Sequence, residues 1–218
     1  MELKGKKINF LGDSITEGHG TSAPENIFLN RLSRATGATA NNYGISGSRI
    51  ARQLHPDNPD DRHERWFVTR VPEMDPDADL NVVFGGTNDW GHGDAPLGTF
   101  ADRTDDTFYG AMHNLCLALL EKYPTAVTVF LTPLYRTNEQ KHLSDRGLRQ
   151  VGSLDDYRRA IKEVAGYYGL PVFEWEKVTG MNPEVAHLAQ RYMPYGLHPS
   201  DAGHEIMAAR LQGFLESL

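Results

Sequence analysis

Cysteine is almost missing: Cys116 stands alone in 218 residues. An internal disulfide and a cysteine-built zinc site are therefore excluded. Cys116 sits in an apolar helical pattern, which predicts a buried, unreactive thiol. Basic excess is lacking too. The 22 Lys and Arg against 29 Asp and Glu leave a net charge of −7. A phosphate-gripping surface needs the opposite sign, so nucleic acid is not an expected partner. No apolar run approaches a membrane span, and Met1–Lys7 carries charge where a signal peptide needs an apolar core. The expectation is a soluble, cytoplasmic chain with no membrane partner. Repeats, low-complexity tracts and inter-domain linkers are also missing, so residues 1–218 read as one domain. Nothing in the chain sets an oligomeric state.

What is present is an alternation of short apolar strands with longer helical patterns. That order predicts a parallel sheet with helices on both faces. Strands are expected at Lys7–Leu11, Thr39–Tyr43, Leu80–Phe84, Val127–Leu131 and Leu170–Phe173. Helices are expected at Pro24–Thr36, closed by Gly37, and at Arg62–Val71, stopped by Pro72. Asp105–Tyr123 is the clearest helix, with Phe108, Met112, Leu115 and Leu119 recurring on one face. Ser153 reads as the cap of a helix carrying Tyr157, Ile161, Val164 and Tyr168. Val185–Tyr192 reads as a short helix, and a last one starts near Ser200-Asp201. Asp57–Asp61 and Asp75–Asp79 are acid clusters expected in solvated loops. Tyr135–Gln150 is polar and long, with Arg136, Lys141, Arg146 and Arg149. It reads as a flap over a site or a partner-facing loop.

In an open parallel sheet, ligands bind beyond the carboxyl ends of the strands. Ser14, Gly47 and Asn88 follow the first, second and third expected strands and so reach one rim. Acyl transfer needs a nucleophile, a base and donors for a developing oxyanion. Ser14 can be the nucleophile, or only a helix cap. Gly47 can offer its backbone N–H, or simply make a turn. Asn88 can donate from its side-chain amide, or cap a turn. Of nine histidines, His198 in Gly196-Leu197-His198-Pro199 is best placed as base, though a surface histidine is the plainer reading.

Four blocks in order resemble the SGNH hydrolases, also called the GDSL esterase/lipase family. They are Gly12-Asp13-Ser14, Gly47 in Ile45-Ser46-Gly47, Gly86-Thr87-Asn88-Asp89, and Gly196-Leu197-His198-Pro199. The resemblance spans residues 8 to about 204. It implies a flavodoxin-like three-layer α/β/α sandwich around a five-stranded parallel sheet, and ester hydrolysis with no cofactor and no metal. It implies Ser14 as nucleophile and His198 as base. Ser14 N–H, Gly47 N–H and the Asn88 side chain would form the oxyanion hole.

One position departs from the family. The aspartate usual three residues before the histidine is replaced by Tyr195. That aspartate holds the imidazole tautomer and stabilises the imidazolium. A backbone carbonyl or a displaced acid can stand in, and Asp201, one turn later, is a candidate. Asp13 and Asp89 read as structural neighbours of the reactive positions, bonding backbone N–H groups. Trp90, His92, Arg49 and Tyr195 are expected to line the substrate pocket. His92 and Asp94 alone fall short of a metal ligand set. The expected activity is cleavage of short acyl esters of polar alcohols, such as acetylated sugars. The alternatives are an inactive binding protein of the same fold and an acyltransferase.

Overall fold

A computed structural model describes residues 1–56, 58–145, 147 and 149–218. Asp57 of the first acid cluster and Arg146 of the polar segment lie outside the described residues. Five parallel strands form the sheet: β1 Lys7–Gly12, β2 Thr39–Gly44, β3 Leu80–Phe84, β4 Val127–Leu131 and β5 Val172–Phe173. Their spatial order is β2-β1-β3-β4-β5. That is the flavodoxin-like order, in which the chain reverses direction of winding beside β1. The helices are α1 Ser14–Glu17, α2 Phe28–Thr36, α3 Phe67–Arg70, α4 Thr87–Gly91, α5 Phe108–Lys122, α6 Leu154–Tyr167, α7 Trp175–Val178, α8 Ala186–Tyr192 and α9 Asp201–Ser217.

Side chains alternate across a strand, so one strand feeds two cores. Ile8 and Phe10 of β1, Leu80, Val82 and Phe84 of β3, and Val129 and Leu131 of β4 face α2 and α9. Leu11, Val83 and Phe130 face α3, α5 and α6. Every one of these is essentially unexposed. Phe10 meets Phe28 of α2 edge-on at 5.7 Å between ring centroids. Truncating such a buried ring to alanine costs roughly 3–5 kcal/mol. Cys116 is buried in the α5 core, and burial pushes its thiol up to about 12, as its apolar setting predicts.

Several expected boundaries move. Pro24–Thr36 is not one helix: a 3-10 turn covers Pro24–Asn26, and Ile27 is extended (ψ 136°) before α2 begins. The break lets the Ile27 side chain enter the core. Arg62–Val71 divides likewise, because Arg65 and Trp66 are extended (ψ 100° and 159°). The last strand shortens to two residues. Capping reads well: Ser153 and Asp156 form a reciprocal capping box, and Ser200 caps α9. The described residues of the 135–150 segment fold back over α4 beside the cleft. Lys141 and Arg149 donate to the carbonyls of Gly91 and Asp89, which tie it over α4.

Candidate active site

β1 delivers Ser14. At the strand's end Asp13 caps α1, its carboxylate accepting from Ile15 N–H at 3.0 Å. Ser14 is then the first residue of α1, where a backbone N–H has no partner within the helix. Its Oγ lies 2.9 Å from Nε2 of His198, on the loop between α8 and α9. These two residues stand 184 apart in the chain.

The other rim residues arrive on their own strands. β2 leads into the Ser46-Gly47 turn, which Glu17 of α1 holds by accepting from Ser46 N–H at 2.7 Å. Gly47 has φ +78°, a left-handed conformation that disfavours any residue with a Cβ. β3 leads into α4, which carries Asn88 and Asp89. Asn88 Nδ2 donates to the Ser48 carbonyl at 3.0 Å, which orients the amide and leaves its second hydrogen for a ligand. Asp89 accepts from Ile50 N–H at 3.0 Å and Ala51 N–H at 2.8 Å. Asp13 and Asp89 are thus backbone staples, as expected of them. Desolvation pushes Asp13 up to about 7 and Asp89 upward.

Ser14, Gly47, Asn88 and His198 share one cleft of about 260 Å³ with His19, Ser46, His92, Arg136, Asp145 and Leu197. Burial, with the charges of His19 and Arg136, pushes the His198 imidazole down to about 4. It is therefore neutral at pH 7, and Nε2 accepts from the Ser14 hydroxyl when the ring proton sits on Nδ1. Among the described residues no carboxylate hydrogen-bonds this ring.

Four expected positions fall elsewhere. Asp201 does not reach His198: its carboxylate accepts from Ser22 N–H at 2.9 Å, from Ser22 Oγ at 2.5 Å and from Asn26 at 3.1 Å. Being next to the Ser200 cap, it is turned toward the 21–26 loop instead. Tyr195 is 86% exposed, at the tip of a turn closed by Gly196 N–H on the Met193 carbonyl, and does not line the cleft. Trp90 is wholly buried; its Nε1 donates to the Gly152 carbonyl at 3.0 Å while Arg136 and Lys141 cover its ring. Arg49 is also buried, ion-paired with Glu64, behind His92. Its Nη1 lies 3.1 Å from His92 Nδ1. A guanidinium only donates, so Nδ1 accepts and the His92 proton belongs on Nε2. Asp94 is taken up by Leu54 and His55 N–H groups, apart from His92. Among the described residues no cluster of three or more His, Cys, Asp and Glu could hold a metal ion.

Arg136 and Asp145 are cleft residues that sequence reasoning missed. Arg136 donates to the Thr87 carbonyl and hydroxyl, each at 3.2 Å, and lies over Trp90 at 4.8 Å. A signal was available: Arg136 follows the carboxyl end of β4, the same rule that located Ser14 and Asn88. Asp145 comes from the polar segment, and only its folding back over α4 brings it there.

Fold and site together define a flavodoxin-like α/β protein with a serine–histidine pair at the strand rim. The chain belongs to the GDSL-like lipase/acylhydrolase family, whose model matches residues 10–206. A solved structure from Lactobacillus plantarum is 31% identical, with TM-score 0.81, over 99% of this chain and 98% of that one. A Bacteroides ovatus protein described as a GDSL-like lipase is 19% identical, with TM-score 0.67, over 99% and 100%. The salicylyl-acyltransferase SsfX3 from a tetracycline biosynthetic pathway is 20% identical, with TM-score 0.68, over 99% of this chain and 56% of that one. The last two share the fold. No curated protein matches the chain. No helix among the described residues is long and apolar enough to cross a membrane.

Proposed function

We propose that the protein is a serine ester hydrolase for short, acetyl-type acyl esters, with O-acetylated carbohydrates as a fitting substrate class. The 2.9 Å contact between Ser14 Oγ and His198 Nε2 carries this reading. Ser14 Oγ attacks the ester carbonyl while Nε2 takes its proton. The oxyanion that forms meets Ser14 N–H, Gly47 N–H and the free hydrogen of the Asn88 amide. The tetrahedral intermediate collapses, and the alcohol leaves with the proton from His198. Water, deprotonated by His198, then releases the carboxylic acid and restores Ser14. A cleft of about 260 Å³ is below the roughly 300–1,000 Å³ of sites for drug-sized ligands, which favours a small acyl group over a long one. Arg136, Asp145 and the histidines at its wall suit a hydroxyl-rich leaving group.

The test is p-nitrophenyl acetate turnover by wild type and Ser14→Ala. Loss of turnover in the variant is expected, and equal rates would sink the proposal. A second reading, transfer to an acceptor other than water, is favoured by the fold shared with the salicylyl-acyltransferase. It uses the same acyl-enzyme, so added alcohols or sugars would appear as acylated products. An inactive binding protein is favoured by the lack of an acid on His198 among the described residues; failure of a fluorophosphonate to label Ser14 would support it.

A further inference from the structure

A base with no carboxylate partner among the described residues must be held by something else, and the chain around Ser14 supplies a holder. α1 ends in a turn, Gly18-His19-Gly20, with Gly18 and Gly20 at φ +108° and +96°. The turn is fastened to the nucleophile itself. Gly18 N–H and His19 N–H both donate to the Ser14 carbonyl, at 3.0 and 2.8 Å. Thr21 closes it from the other side, its hydroxyl donating to the Gly18 carbonyl at 2.7 Å. At Gly20 the backbone presses against the base's loop. A Cβ there would lie 2.5 Å from the Pro199 carbonyl oxygen and 3.1 Å from His198 Cβ. The His19 ring then covers the His198 ring, with centroids 4.2 Å apart and planes inclined by 59°. Just beyond, Ser22 and Asn26 donate to Asp201, so the same stretch is also pinned to the start of α9.

We propose that His19 is a positioning residue for His198: its ring, set on a turn hydrogen-bonded to the Ser14 carbonyl, keeps the imidazole aimed at Ser14 Oγ, the orienting task that a carboxylate performs in a full triad. This rests on the reading of Ser14 and His198 as nucleophile and base. Nucleophile and base are thereby referenced to one hydrogen-bonded turn. A misplacement of about 1 Å at such a pair can cost on the order of 100-fold in rate, so a ring contact is enough to matter. The substitute is incomplete in one respect. A carboxylate would also neutralise the imidazolium, whereas His19 opposes it. The charged or titratable groups around His198 are His19 from the α1 turn, Arg136 from the loop after β4, His204 from α9, and His92 and Asp145 across the cleft. Asp201, at the start of α9, is turned to Ser22.

The experiment compares wild type, His19→Ala and His19→Phe in p-nitrophenyl acetate hydrolysis, with Ser14→Ala as reference. His19 is exposed, so both variants should melt near the wild-type temperature. His19→Ala should lower kcat on the order of 10-fold or more with KM within about twofold, since orientation and not substrate binding is lost. His19→Phe retains a ring and should recover most of that kcat. A His19→Ala kcat within twofold of wild type overturns the proposal, as does a His19→Phe as slow as His19→Ala. A second readout needs no turnover: NMR titration of the His198 ring. With Phe at position 19 a nearby charge is gone, so the His198 pKa should rise. An unchanged titration would show that the charge of His19 does not reach the His198 ring and also overturn the proposal. Equal hydrolysis by wild type and Ser14→Ala strikes the esterase reading instead, and leaves the NMR arm to decide on His19.

Discussion

The pH profile of hydrolysis tests the surroundings of His198 most directly. Burial comes first among the causes that push this imidazole down to about 4, followed by the charges of His19 and Arg136. The sign is definite. A base with a lowered folded pKa stays neutral and able to accept a proton as pH falls, and is lost only through the folded value. An ordinary imidazole near 6.5 is about nine-tenths protonated at pH ~5.5, so a reaction that needs it would fall about tenfold there. With a value of about 4, roughly 97% of His198 is still neutral at that pH, and the rate should stay near its plateau. The assay is kcat/KM for p-nitrophenyl acetate between about pH 8 and 4, with circular dichroism at each point to show that the chain remains folded. Arg136→Met removes one of the two charges, and its acid limb should move to higher pH. A wild-type limb near pH ~6.5 in folded protein would refute the argument that a buried base without a carboxylate is the one that reacts. The same shift has a kinetic cost, because a base this weak takes the Ser14 proton less readily than one matched to neutral pH.

Two further outcomes separate the roles of the remaining residues. Asn88→Ala should lower kcat about 100- to 1,000-fold with a small change in KM, as expected for loss of an oxyanion donor; steady-state kinetics check this, and a loss confined to KM would place Asn88 in substrate binding. Asp201→Asn should lower kcat less than about tenfold, whereas amidation of a true triad acid costs on the order of 10,000-fold; a loss of the larger size would return Asp201 to the triad.

The fold was largely legible because its signals are local. Short strand patterns separated by helical periodicity point to a parallel sheet, and all five strands lie where that pattern puts them, though the last is shorter. Helix ends were read well where a capping side chain marks them, as at Ser153 and Ser200. They were read poorly where a single residue leaves the helix for tertiary reasons. Ile27 falls within the helical apolar pattern and is extended, with its side chain in the core beneath α2 and α9. The short helices α1 and α4 gave no periodic signal, being one turn each, yet they carry Ser14 and Asn88.

The site divides in the same way. The strand positions and the rim rule bring Ser14, Gly47 and Asn88 together, and those are properties of the chain's pattern alone. The direction of a side chain at the rim is not such a property. Trp90, on α4, and Arg49, after β2, lie near the rim but point into the core, because α4 and the 49–55 loop bury one face against Gly152, Glu64 and their neighbours. Tyr195 follows a tight turn outward. Sequence alone determined the strand positions, the parallel sheet, the family resemblance and the residues whose meeting makes the reaction conceivable, since each depends on local patterning or short motifs. Only the tertiary structure decided what holds His198. Asp201 and His19 are both close to it along the chain or across the rim, and which one faces the ring depends on how α9 and the α1 turn pack, a long-range outcome with no local signature.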